Sequence, residues 1–508
     1  MPMKRKNAEL VFALVAPVGT DYRSVASYLE TQLHAFGYTC NFIRLSAEIA
    51  PLCKQLGIDC DLRTDSEFSR IESHMAAANR LYQSFNARCA SDERNALLAL
   101  NAVFHIREKR SSEAPNGVLM NVAHIILTLK RPEEVEYLRR IYTLGLHVIG
   151  VFSSEEDRAD YLIHKQHVKK PQAVQLVKND ENDQKAGGQR TGDAFHLSDL
   201  FIDVGRSTSV PWEKQIGRYL DLLFSFPYGT PSRDEQAMFV AYGASLRSAQ
   251  FGRQVGAAVT NSAGDVLALG CNEVPSPGGG LYWEGDRYDQ RDHVKGSDSN
   301  DAEKLRILDE IVGVLPEQHR DEATRAKIRA TSLFAITEFG RAVHAEMEAL
   351  SSCARRGVAT QGAILYTTTF PCHNCARHII GFGIARVVYI EPYPKSKAVT
   401  LHEDAIAPEA VGSTGETSMS VRFTPFVGIS PRRYAEMFTV NPTYGQPVER
   451  KQKSTGNAID WERNTAILRL QMYPISYIER EELAVTRLGD QLAQRVLTFS
   501  ESDHLEGN

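Results

Sequence analysis

Apolar residues run unbroken from Leu10 to Val15, the pattern of a strand buried on both faces of a parallel sheet. The chain turns at Ala16-Pro17-Val18-Gly19-Thr20-Asp21. It then places Val25, Tyr28, Leu29, Leu33 and Phe36 on one face of a predicted helix, which Gly37 ends. Phe42-Ile43-Arg44-Leu45 resumes as a strand, and Ile125-Ile126-Leu127-Thr128-Leu129 reads as another. A helix opens at Pro132, and His147-Val148-Ile149-Gly150-Val151-Phe152 is a further apolar strand. Strands alternating with helices predict an α/β domain with a mainly parallel sheet.

The pattern turns polar from Val177 to Thr191, which reads as a mobile loop, and the first domain closes between Phe195 and Ile202. Ile216, Tyr219, Leu220 and Leu223 mark a helix. Ser232-Arg233-Asp234-Glu235 is a capping box that opens another, carrying Met238, Ala241, Ser245 and Ala249. A second sheet begins at Val255-Gly256-Ala257-Ala258-Val259, turns near Ala263-Gly264-Asp265 and returns to Cys271. After the turn from Pro275 to Gly280 comes an insertion with Asp286, Asp289, Asp292, Asp298 and Asp301, then a helix expected to bury Leu305, Leu308, Ile311 and Leu315. Arg291-Asp292-His293 could hold a second metal or a nucleotide phosphate, although a solvated loop is the plainer reading. The tail after Pro442 starts polar and ends in a predicted helix from Tyr477 to Val496, suited to packing or subunit contact.

Composition narrows the class. A chain of 508 residues suggests two to four domains. The net charge of −5 and pI near 6.3 argue against a general nucleic-acid binder, which shows a basic face. Eight cysteines show no disulfide-framework spacing, so Cys40, Cys53, Cys60, Cys89, Cys271 and Cys353 are expected as reduced thiols of a cytoplasmic protein. The basic start is followed by too short an apolar run for a signal peptide, and no stretch is long enough to span a bilayer.

The chemistry concentrates in His344-Ala345-Glu346 and Pro371-Cys372-His373-Asn374-Cys375. One imidazole and two thiolates give Zn²⁺ three protein ligands and leave a fourth position for water, as in catalytic rather than structural sites. The H-x-E…P-C-x-x-C pattern is that of zinc-dependent nucleobase deaminases, with the Glu as proton shuttle rather than ligand. His344, Cys372 and Cys375 are therefore the candidate metal ligands and Glu346 the candidate acid/base. Ala345, Ala349 and Cys353 recur at helical spacing, Ala363-Ile364-Leu365-Tyr366-Thr367 reads as a buried strand, and Pro371 opens a second helix. Both ligand sets thus lie at helix N-termini, whose dipoles favour thiolate. His373 and His378 are read as packing or supporting residues, because the ligand set is complete without them.

The strand-turn-helix at Leu10–Val25 invites a phosphate-loop reading. It departs from G-x-x-x-x-G-K-[ST]: Ala16 stands where a Gly belongs, and Asp21 follows Gly19-Thr20 where a Lys is wanted. A carboxylate there repels phosphate, so Gly19 and Thr20 mark a degenerate loop on a kinase-like scaffold that senses nucleotide or builds an oligomer.

With these residues in view, the stretch from Arg253 to Lys395 resembles the deoxycytidylate deaminase branch of the cytidine deaminase superfamily. Arg253-Gln254-Val255-Gly256-Ala257 looks like that branch's opening strand. Cys271-Asn272-Glu273-Val274-Pro275 stands in the place of its Asn-Gly-x-Pro turn, with Glu273 departing from Gly, and Glu391-Pro392-Tyr393-Pro394-Lys395-Ser396 fits the group as well. The whole chain looks like the two-domain antiphage deoxycytidylate deaminases of bacteria. The resemblance implies a P-loop-kinase-like parallel-sheet domain over 1–205, a cytidine-deaminase-like α/β/α domain over 206–440, and a helical C-terminal extension over 441–508. It implies Zn²⁺ and conversion of free dCTP, and of dCMP, to the uracil nucleotide, draining the pool during infection. It also implies a homo-oligomer controlled by dCTP or dTTP, with no membrane and no stable nucleic-acid partner. By the same resemblance Asn272 meets the sugar 3′-hydroxyl, the Ala345 N–H meets the base carbonyl and the Thr369 carbonyl accepts from the exocyclic amine. Arg253, Lys395 and Arg291 are the phosphate candidates. The competing readings are a deaminase of tRNA or single-stranded DNA, and a nucleotide sensor without chemistry. The acidic balance and the Asn272 turn count against the first, and the intact Glu346 against the second.

Overall fold

The computed structural model describes residues 7–87, 94–114, 117–182, 189–205, 211–390, 396–408, 420–442, 445, 447–470 and 477–486. They fall into two compact units, 1–231 with 427–508, and 232–426.

The first unit is an α/β unit. Its elements are β1 (Leu10–Val15), α1 (Tyr22–Ala35), β2 (Thr39–Arg44), α2 (Ile49–Gln55), α3 (Glu67–Asn86), α4 (Leu97–Glu113) and β3 (Val122–Leu129). There follow α5 (Pro132–Tyr142), β4 (Leu146–Phe152), α6 (Glu155–His164), α7 (Lys170–Asn182), α8 (Thr191–Phe195), β5 (Leu200–Asp203) and α9 (Trp212–Leu223). The strands lie in the order β2-β3-β1-β4-β5, all parallel. Every residue of β1 is buried, as its unbroken apolar run requires. Val25, Leu29 and Leu33 of α1 pack on Phe12 and Leu14 in the same core. This is the α/β architecture with a mainly parallel sheet expected from the alternation.

The second unit contains α10 (Arg233–Ser245), β6 (Gly256–Thr260), β7 (Val266–Cys271), α11 (Asp292–Lys295), α12 (Ser299–Val314), α13 (Glu322–Arg329), α14 (Ala345–Arg355) and β8 (Ile364–Thr367). It continues with α15 (His373–Gly381), β9 (Arg386–Tyr389), α16 (Ala398–Leu401), β10 (Ile406–Pro408) and β11 (Val421–Pro425). The sheet order is β10-β11-β9-β8-β6-β7: an antiparallel hairpin β6-β7 joined antiparallel to β8, then parallel strands. The capping box is present, with Ser232 and Glu235 each bonding the other's backbone N–H. Two glycines bring the helices onto the hairpin. A Cβ on Gly256 would stand 1.9 Å from the Ala241 carbonyl of α10, and one on Gly270 would stand 2.2 Å from the Ala345 carbonyl of α14. Gly256 pairs with Cys271 and Gly270 with Ala257, so the two glycines face opposite sides of the hairpin and α10 and α14 sandwich it.

Several expectations are corrected. The units do not divide at 205 and 440. Residues 427–508 belong with the first unit, where β12 (Gly428–Ile429) adds an antiparallel edge to β5, α17 (Tyr434–Phe438) follows, and a helix over 477–486 supplies buried Tyr477 and Glu481. The polar stretch after Val177 is not wholly loop, because α7 continues to Asn182; residues 183–188 lie outside the described residues. Leu308 of α12 is buried as expected, with Val312 one turn on, but Leu305 is exposed and Ile311 and Leu315 are only half-buried. Cys53 and Cys60 are not free thiols but are joined in a disulfide, with Cα atoms 6.3 Å apart where α2 ends. Cys40, Cys271 and Cys353 are free, and Cys89 lies outside the described residues. Among the described residues no helix is long and apolar enough to cross a membrane.

Candidate active site

Each donor of the motif sits at a helix start. His344 is the N-cap residue of α14, and Cys372 is the N-cap of α15 with its Sγ accepting from the Cys375 N–H at 3.5 Å. Extended φ/ψ at both caps turns the side chains back over the helix end, beside backbone N–H groups that lack intrahelical acceptors. His344 Nδ1 lies 3.3 Å from Cys372 Sγ and 3.3 Å from Cys375 Sγ. A tetrahedral zinc with ordinary Zn–S and Zn–N bonds sets its nitrogen and sulfur ligands about 3.5 Å apart. The donor set fits that ion in type and spacing, and His344, Cys372 and Cys375 form a candidate zinc site. His373 and His378 stand outside this donor cluster.

Glu346, the second residue of α14, is buried, and its Oε2 lies 3.5 Å from Cys375 Sγ. Burial pushes its carboxyl above the usual range. Cys372 is lowered to about 4, first by the hydrogen bond from Cys375 and then by that with His344. Cys375, which donates to it, is raised correspondingly, so the pair shares a proton that a dication displaces. The Cys372 hydrogen bond also raises His344.

The other candidates divide. Ala345 is fully buried as the first residue of α14, a position whose N–H has no acceptor within the helix. The Thr369 carbonyl accepts from Thr367 Oγ1 at 3.0 Å, which leaves it a second lone pair. The Asn272 side chain is already used: Oδ1 accepts from the Val255 N–H at 2.7 Å and Nδ2 donates to the Arg253 carbonyl at 2.9 Å, clamping the start of β6. The Arg253 side chain is exposed, and Lys395 lies outside the described residues. Arg291 is bound by Asp289 through contacts of 2.7 to 3.1 Å, and Asp292 accepts from Arg341 at 2.9 Å. Among the described residues the insertion gathers no second donor cluster.

Glu273 went unrecognised as a functional element in the sequence. It is buried, its carboxylate accepts from the Ala249 N–H at 2.8 Å and from Gln250 Nε2 at 3.2 Å, and its carbonyl accepts from the Val343 N–H at 3.1 Å, one residue before His344. Only its place in the Asn272 turn hinted at a role.

At the other candidate site, Gly19 takes φ +86° in the β1–α1 turn, where a Cβ would stand 2.7 Å from the Arg158 carbonyl of α6. Asp21 caps α1, accepting from the Ser24 N–H at 3.2 Å and from Ser24 Oγ at 2.7 Å. The chain's own carboxylate thus takes the helix N-terminus that a phosphate would need.

Residues 231–391 match the family model of the cytidine and deoxycytidylate deaminase zinc-binding region. ComE operon protein 2 of Bacillus subtilis (strain 168) is 47% identical over 53 residues, 10% of this chain and 28% of that one. The deoxycytidylate deaminase of Enterobacteria phage T2 is 44% identical over 55 residues, 11% of this chain and 29% of that one. The chain therefore spans under a third of the length of these curated relatives. A dCMP deaminase from the cyanophage S-TIM5, solved in apo form, is 17% identical, covering 39% of this chain and 100% of its own with a TM-score of 0.23. The second unit carries a zinc-binding region of the cytidine and deoxycytidylate deaminase kind.

Proposed function

We propose that this protein deaminates free deoxycytidine nucleotides, dCTP and also dCMP, to deoxyuridine nucleotides with release of ammonia. The observation that carries the reading is the convergence of His344, Cys372 and Cys375 beside buried Glu346, within a segment that matches the deaminase zinc-binding region. When bound, zinc supplies Lewis acidity that makes water nucleophilic near neutral pH. Glu346 takes the proton of the attacking water and delivers it to the ring nitrogen. It then carries a second proton to the exocyclic amine, so that the C–N bond breaks as the carbonyl forms and ammonia departs. The Ala345 N–H would hold the base carbonyl, and the free lone pair of the Thr369 carbonyl would take the amine. Asn272, with one N–H left over, would reach the sugar hydroxyl only from its clamped position. Arg253 is exposed at the entry to β6 and suits the phosphates, a role that Lys395 would share.

On this reading the protein is a cytoplasmic homo-oligomer that lowers the deoxycytidine nucleotide pool, as an antiphage defence would, under control by dCTP or dTTP. The test is purified protein incubated with dCMP, dCTP, CTP and a cytosine-containing oligonucleotide, with and without dTTP, and chromatography of the products. The expected outcome is uracil product from the deoxynucleotides, lost in Glu346→Gln. Turnover of the oligonucleotide alone overturns the reading.

A further inference from the structure

A cavity of about 160 Å³ opens inside the first unit, between the β1–α1 turn, α3, the end of β3 and α6. It lies beyond the carboxyl ends of parallel strands, where open α/β sheets take their ligands. It has room for a ring system rather than a single water.

Its phosphate end is shut by the protein itself. The Val18 N–H, in the turn that would cradle a phosphate, donates to Asp180 Oδ2 at 3.0 Å. Lys130 Nζ donates to the Ala16 carbonyl at 2.7 Å and stands 3.5 Å from Asp180 Oδ1, so the cation nearest the turn is committed. Asp21 occupies the helix start, and Gly19 packs against the α6 backbone. The remaining buried or half-buried cations on the wall are paired too. Arg70 forks onto Glu67, and the Arg131 guanidinium lies 3.8 Å from the Tyr82 ring centre and donates to Asn79. An anion entering here finds Lys130, Arg70 and Arg131 already engaged, which leaves the exposed Arg23 among the arginines and lysines of the wall.

What the wall offers instead is apolar and hydrogen-bonding surface. Ile71, Met75 and Leu98 line it beside the Tyr22 and Tyr161 rings. Thr20 is 2% exposed, and its Oγ1 is buried without a hydrogen-bond partner. A buried hydroxyl left unpaired costs about 1–3 kcal/mol, so a ligand that reaches it gains what the free protein lacks. Thr128, also on the wall, holds φ +63°, an unusual conformation for a β-branched residue, where the β1–β3 register shifts. Strain of this kind concentrates at ligand sites.

We propose that this cavity is a binding site for an uncharged nucleobase or nucleoside, held by stacking and by Thr20 Oγ1, with no phosphate in the degenerate loop. The site stands apart from the deaminase reading and survives that reading's failure. It is tested on the full chain, as wild type and as Glu346→Gln, by calorimetric titration with thymidine, adenosine, guanosine and pyrophosphate. The expected result is saturable binding of at least one nucleoside at one site per chain in both proteins, and none of pyrophosphate. Thr20→Val keeps the side-chain shape and removes the hydroxyl, and should weaken that nucleoside about tenfold. Met75→Trp, which fills the cavity, should abolish its binding while zinc content stays unchanged. The proposal is overturned if no nucleoside saturates, if pyrophosphate binds, or if nucleoside binding persists unchanged in both cavity variants.

Discussion

The Val343 N–H donates to the carbonyl of Glu273 at 3.1 Å, tying the residue before the candidate zinc ligand His344 to the turn after β7. The Glu273 carboxylate is itself fixed by Ala249 and Gln250 at the end of the α10 segment. Glu273 thereby links two chain segments behind the imidazole. Glu273→Ala removes the buried carboxylate that accepts from the part-buried Ala249 N–H and from Gln250 Nε2, at a cost of about 0.5–1.5 kcal/mol for each hydrogen bond lost. Zinc affinity should fall with it, by roughly 10–100-fold, as for residues that support metal ligands. Thermal unfolding and competition against a zinc chelator measure the two effects. Lost stability with unchanged zinc affinity would leave Glu273 a folding residue only.

Gly270 sets how close α14 comes to the hairpin. Gly270→Ala places a methyl 2.2 Å from the Ala345 carbonyl and 2.5 Å from the Ala349 N, both backbone atoms that cannot rotate away. The helix must shift, and it carries His344 at its cap and Glu346 in its first turn. Overpacking of this sort costs about 1–3 kcal/mol, and a displacement near 1 Å in a catalytic group costs about 100-fold in rate. The expected outcome is a soluble variant that melts lower and turns over far more slowly. A variant with wild-type turnover would show that the helix need not seat this tightly.

Much of this architecture is legible from local pattern. The apolar runs of β1, β3 and β4 mark buried parallel strands, and the donors at 344, 372 and 375 declare themselves by type and spacing. What stays hidden is hidden for physical reasons. Helix α3 buries Ser69, Ser73, Ala77 and Ala78, small residues that give a weak hydrophobic stripe. Helix α4 is buried almost all round at Leu97 to Val103, so no period emerges. The pairing of Gly428–Ile429 with Leu200–Phe201 joins residues more than two hundred positions apart, which no local window contains. Glu273 reads as a departure from a glycine turn until its hydrogen bonds to Ala249, Gln250, Val274 and Val343 are seen.

Cys372 tests the metal separately from the proton shuttle. Cys372→Ser replaces a soft thiolate with a harder, less acidic oxygen donor, so zinc content should drop well below one per chain and turnover with it. Glu346→Gln should keep zinc at one per chain and lose about 10²–10⁴ in turnover. Elemental analysis alongside product chromatography separates the two. Full zinc in the Cys372 variant, or full activity in the Glu346 variant, removes the assigned role.

In the first unit, Arg110 grips Glu9 and Glu481 together, while Tyr477 and His124 also bond Glu9, so a buried charge cluster holds the 477–486 helix to β3 and α4. Burial alone would raise Glu9, but its bonds from His124 and Arg110 outweigh that and lower it to about 2. Its folded value lies below its ordinary 4.5, so ionised Glu9 contributes stability that is present above about 4.5 and lost as pH falls towards 2. The shift corresponds to about 3 kcal/mol. Glu481 moves the other way, because burial outweighs Arg110, and it is already protonated in both states below its ordinary range. Within this cluster the slope between pH 4.5 and 2 belongs to Glu9, and elsewhere in the first unit Glu67, lowered by its hydrogen bond from Arg70, adds to it. Denaturant unfolding across that range should show stability falling with acid in the wild type and in Glu481→Gln. In Glu9→Gln the first unit should start lower at pH 7 and show a shallower acid slope. An unchanged slope in Glu9→Gln would mean that other carboxylates set the acid limit.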